Sequence, residues 1–99
     1  MKTKLGLTYL TTEVHDSQAM VALTSNKEYA FVWWGGPYVD VFIRTQLHAC
    51  HSPVMIDGER FFVGNECVNV WDYAKGEPEI EWLDSDEFLY TINEWLGER

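Results

Sequence analysis

Hydrophobic and polar positions alternate with the period of a strand along most of the chain and change to the period of a helix only near the C-terminus. Residues 5–12 and 19–24 are short runs of Leu, Val, Thr and Tyr among small residues, of the kind that fits a pleated, half-buried surface. The second run also fits a helical turn begun at Asp16. Residues 29–34 and 38–45 flank Gly35-Gly36-Pro37, where two glycines tolerate positive φ and the proline restricts the next step of the chain, so the pattern predicts a tight hairpin. In its second arm Val39, Val41 and Ile43 alternate with Tyr38, Asp40, Phe42 and Arg44, which puts one set on a buried face and the other on a partly wet one. A second hairpin pairs residues 54–56 with residues 60–63 around Asp57-Gly58, a favoured two-residue turn. Residues 68–71 and 79–83 complete the strand candidates.

Phe88, Leu89, Ile92, Trp95 and Leu96 recur at the spacing that gathers them on one side of a helix over residues 85–96. Asp84 or Ser85 suits its start, Glu87 stands three residues after Asp84 as a capping box requires, and Gly97 suits the stop. Glu87, Thr91, Glu94 and Glu98 then share the outer face. The order of elements predicts an α+β fold, a mainly antiparallel sheet of meander hairpins with one C-terminal amphipathic helix packed on it. With 99 residues, no internal repeat and no Pro-, Gly- or Ser-rich linker, residues 1–99 read as a single domain.

Composition excludes a disordered acidic tail, because 46% of the residues are hydrophobic and 15% aromatic. The basic opening Met1-Lys2-Thr3-Lys4 precedes only Leu5, Leu7 and Leu10 before threonines intervene, which is not a secretory pattern. The longest apolar run, residues 29–34, is far short of the roughly 20 residues of a membrane span. A cytoplasmic protein is expected, with Cys50 and Cys67 as reduced thiols.

Charge changes the picture most. Residues 1–50 balance Lys2, Lys4, Lys27 and Arg44 against Glu13, Asp16, Glu28 and Asp40, so the second half carries the whole net charge of −9. Such a field repels nucleic acid and anionic membrane and attracts basic surfaces. Residues 77–87, Glu-Pro-Glu-Ile-Glu-Trp-Leu-Asp-Ser-Asp-Glu, hold Glu77, Glu79, Glu81, Asp84, Asp86 and Glu87 without a base. If extended, the first three project from one face about 6.6 Å apart, a spacing of carboxylates that resembles phosphates presented to Lys and Arg. The competing reading is a solvated surface that maintains solubility, with the helix-start acids answering the macrodipole.

Five tryptophans, Trp33, Trp34, Trp71, Trp82 and Trp95, are many for this length. Trp33 and Trp34 must point to opposite faces of a strand, which leaves Trp34 as a candidate interface anchor, or makes the pair the seat of a homodimer. His48, Cys50, His51 and Cys67 are of the types that bind zinc or form a thiol-histidine nucleophile. Their spacing favours ordinary loop histidines beside buried free cysteines, since three crowd into four residues and Cys67 stands apart. No phosphate loop, dinucleotide fingerprint, nucleophile elbow or EF-hand is present, and the expectation is a protein that is not an enzyme and uses no cofactor or metal.

In size, acidity and the run of residues 77–87, the chain resembles the small acidic inhibitors encoded by phages and other mobile elements, the anti-CRISPR and anti-restriction proteins of DNA-mimic type. Immunity proteins against basic nuclease toxins are similar on the same grounds. Both resemblances imply one action in the host cytosol, occlusion of a basic, nucleic-acid-handling protein. The partner-binding residues expected are Glu77, Glu79, Glu81, Asp84, Asp86, Glu87, Glu94 and Trp34.

Overall fold

The computed structural model of the chain describes residues 6–73 and 84–98. Strands β1 (Leu7–Val14), β2 (Ser17–Thr24), β3 (Tyr29–Trp33), β4 (Tyr38–Ile43), β5 (Val54–Ile56) and β6 (Glu59–Asn69) lead into a 3-10 turn, Val70–Asp72, and helix α1 spans Ser85–Gly97. The strands form one sheet in the order β1-β2-β3-β4-β6-β5, with every ladder antiparallel. The meander therefore holds through β4 and then changes, because β6 pairs with β4 and leaves β5 at the edge. The two edge strands, β1 and β5, come into contact, so the sheet curls until it is almost closed. The strand candidate at residues 79–83 lies outside the described residues.

Curling explains why both faces of the central strands are apolar. Met20, Ala22, Phe31, Trp33, Val39 and Val41 face α1 and meet Phe88, Ile92 and Trp95. Their alternates Ala19, Val21, Leu23, Ala30, Val32 and Phe42 face inward, where Ile56 and Phe61 of the last hairpin close over them. Phe42, expected on the wetter side of its strand, is fully buried for this reason. Strands covered on both faces carry near-continuous apolar runs, and β2 and β3 do.

The helical alternative at Asp16 does not form. His15 and Asp16 take φ of 53° and 64° between Val14 and Ser17, which pair directly, so they are the two central residues of a hairpin turn of mirror-image type. Asp57 and Gly58, at φ 51° and 77°, turn the last hairpin in the same way. Residues 60–63 and 68–69, which the sequence presents in separate strands, belong instead to β6, which runs unbroken through Gly64–Cys67 and ends at Asn69, while residues 70–71 of the second candidate enter the 3-10 turn. Asn69 then caps the 3-10 turn by accepting from the Trp71 N–H. Thr91, placed by sequence on the outer face of α1, is buried; its hydroxyl donates to Glu87 O at 2.9 Å, which satisfies it without a partner outside the helix. Among the described residues no helix is long and apolar enough to cross a membrane.

Candidate functional site

The start of α1 puts two of the expected partner-binding acids to internal use. Asp84 Oδ1 accepts from the Glu87 N–H at 2.8 Å, and Glu87 Oε1 accepts from the Asp84 N–H at 3.3 Å. This is the capping box read from the sequence. Asp86 and Glu87 lie in the first turn, where negative charge favours the helix dipole. Folding alone accounts for the placement of these three acids.

At the other end of α1 the same electrostatics have the opposite sign. Glu94 and Glu98 stand near the negative end of the dipole, and the last turn holds no base. Each such carboxylate costs a surface helix about 0.3–1 kcal/mol. They also crowd together: the Tyr73 hydroxyl donates to Glu98 Oε2 at 2.7 Å, and Tyr90 donates to Glu94. Burial pushes the Tyr73 phenol up to about 12, helped by the hydrogen bond to Glu98 and by the charges of Glu98, Asp72 and Glu94. The Tyr90 phenol is held above its ordinary value by the hydrogen bond to Glu94. Asp72, Tyr73, Tyr90, Glu94 and Glu98 thus form one anionic surface around the end of the helix. Among the described residues Lys27, Arg44 and Arg60 supply the lysine and arginine side chains, and the ion pairs Lys27–Glu59 at 4.0 Å and Arg44–Glu59 at 3.1 Å both use Glu59.

Trp34 does not join this surface. It lies on the face of the sheet away from α1, partly buried, with its indole N–H donating to Val14 O at 3.0 Å and its ring stacked on His15 at 5.9 Å. Its open side helps line a shallow recess with His15, Ser17 and Gln18. Trp71 is the exposed tryptophan among the described residues, with 51% of its surface in solvent. Trp71 lies in the 3-10 turn Val70–Asp72, where Val70 is the buried residue. Glu77, Glu79 and Glu81 lie outside the described residues.

The zinc-type residues are not assembled. His48 and His51 meet edge to face at 5.0 Å. Cys50 and Cys67, expected to be buried, are free and exposed, since Cys67 sits on β6 opposite Asp40 and Cys50 sits in the loop. Among the described residues no three His, Cys, Asp or Glu side chains are grouped to hold a metal ion.

Asp40 is a carboxylate drawn into the sheet. Burial raises its pKa above the ordinary 3.8, and the nearby His15 opposes the shift. A carboxyl with a raised folded pKa favours folding when protonated; that contribution is complete below the ordinary pKa and is lost as pH rises through the folded value. Asp40→Asn is therefore expected to unfold at a higher temperature than the parent near neutral pH and to show a flatter profile just above the ordinary carboxylate range. Thermal unfolding across acidic and neutral pH checks this, and parallel profiles for the two proteins would remove the assignment.

Comparisons with protein-family models, with curated proteins and with solved structures find no match for this chain.

Proposed function

We propose that the chain is an acidic binding protein that occludes the basic site of a nucleic-acid-handling partner, with the outer surface of α1 as its contact. The observation that carries this reading is the placement of Glu94 and Glu98. They stand where the helix dipole disfavours their charge, with no cation in the last turn to relieve them, so the dipole acts against them in the isolated fold. Charges arranged against stability are characteristic of functional surfaces. Asp86 and Glu87, though useful to the helix, remain exposed and extend the anionic surface along it. Long-range attraction from such a surface accelerates encounter with a cationic partner.

Two measurements test the reading. Glu94→Gln with Glu98→Gln keeps the oxygens that accept from Tyr90 and Tyr73 while removing the charges. The double variant is expected to raise Tm by a few degrees, as removal of about 1 kcal/mol of unfavourable interaction does in a domain of this size. The same variant should slow association with a basic partner about tenfold at low salt. Capture on the immobilised parent chain at low salt, followed by elution at about 1 M salt, where the screening length is about 3 Å, identifies that partner. An eluate without enrichment of cationic nucleic-acid-binding proteins contradicts the proposal, as does a variant that captures them equally well.

A further inference from the structure

The loop between β4 and β5, residues 44–53, carries two histidines whose rings meet. Hydrogen bonds within the loop set its shape: the His51 N–H donates to His48 O at 3.0 Å, and the Gln46 side-chain amide donates to His51 O at 2.8 Å and to Ala49 O at 3.5 Å. The His48 and His51 rings stand edge to face with their centroids 5.0 Å apart. The Nδ1 of His51 is closed off from solvent and has no hydrogen-bond partner. A nitrogen enclosed in this way loses its hydration without a return, and in folded proteins such atoms are normally answered by a donor, an acceptor or an ion.

We infer that His48 and His51 are paired imidazole ligands for a divalent transition-metal ion of the zinc type. Two imidazoles on one tetrahedral zinc, each at a Zn–N distance of about 2.0–2.1 Å, hold their ring centroids about 5 Å apart, and the loop already sets that separation. The ion gives the Nδ1 of His51 the partner that the fold does not. Imidazole nitrogen also selects zinc over Mg2+ and Ca2+, which take oxygen ligands, so the site is chemically distinct from the carboxylates of α1. Cys50 stands between the two histidines in the chain, but its exposed thiol is not grouped with them. Water therefore completes the coordination, and the site is weaker than one built from three or four protein ligands. This inference does not depend on the acidic-binding reading.

Calorimetric titration of the full chain with ZnCl2, alone and in the presence of excess MgCl2, tests the inference. A single equivalent of Zn2+ should bind, and Mg2+ should not displace it. His48→Gln and His51→Gln should each weaken binding by at least about tenfold, the smallest loss usual when even the support of a metal ligand is removed. The Cys50→Ser, Cys67→Ser variant should bind as the parent does. Zn2+ in large excess over its dissociation constant should also raise the Tm of the parent by a few degrees, as ligands of the folded state do in a domain of this size, and should leave the Tm of His48→Gln unchanged. If His51→Gln disturbs the loop, His48→Gln carries the test, because His48 is exposed. Absence of Zn2+ binding, displacement by Mg2+, binding that survives both histidine substitutions, or binding lost with the two thiols overturns the imidazole site.

Discussion

Trp33→Ala is expected to lower stability by about 3–5 kcal/mol, the range for deleting a fully buried tryptophan. Trp33 has no exposed surface. Its ring stacks on Phe88 of α1 at 6.4 Å, and its indole N–H donates to Gly36 O at 2.9 Å, tying the turn of the β3–β4 hairpin back onto its own strand. The substitution opens a void between sheet and helix and removes the donor that holds the turn. In a domain of 99 residues the loss corresponds to a Tm drop of about 12 °C or more, and to much of the total stability of a typical domain, about 5–15 kcal/mol. Trp34→Ala, at the adjacent position but only partly buried on the other face, should cost about 1–2 kcal/mol. Denaturant unfolding of the two variants decides the matter. Equal losses would mean that the sheet does not hold the two tryptophans on opposite faces.

Gly64→Ala is expected to cost about 1–3 kcal/mol, the usual penalty of forcing extra atoms into a packed site. A Cβ at this position would lie 2.7 Å from Val41 O, closer than backbone oxygen accepts. The approach arises from an irregularity in the β4–β6 ladder: Asp40 pairs with Cys67 and Phe42 with Val63, so Val41 alone spans Gly64, Asn65 and Glu66. The bulge lets β6 bend with the curl of the sheet. Gly97→Ala serves as the control, since nothing lies within 4 Å of the added carbon and alanine is the better helix former. Thermal unfolding that moves Gly97→Ala upward and Gly64→Ala downward agrees with the structure; unchanged stability of Gly64→Ala would mean that the close approach is absent.

Gly64 also shows why part of the fold is hidden in the sequence. A glycine followed by Asn and Glu reads as a turn between two short strands, and only the bulge shows that one long strand continues through it. The first hairpin is hidden for a related reason. Positive φ is expected of Asn-Gly or Asp-Gly, and β1–β2 turns instead on His15 and Asp16, residues that accept that conformation at some cost. The hairpins around Gly35-Gly36 and Asp57-Gly58, and the helix with its Asp84–Glu87 box, are legible because turn chemistry, periodicity and capping agree at each. Charge is legible in amount but not in meaning. Sequence spacing makes Asp86 and Glu94 alike, and only their positions along the helix dipole separate an acid that stabilises α1 from one that does not. The adjacent pair Trp33-Trp34 draws attention away from Trp71, which the 3-10 turn after β6 leaves exposed.

Coverage of β2 and β3 on both sides has an evolutionary consequence. A strand without a solvent-facing row has no site at which polar substitution is neutral, so sequence drift is confined to the rim strands, the loops and the outer surface of α1. Those are the places where recognition would be retuned. A lineage under pressure to follow a changing target could therefore alter its contact residues in many steps while the layers beneath them stay the same.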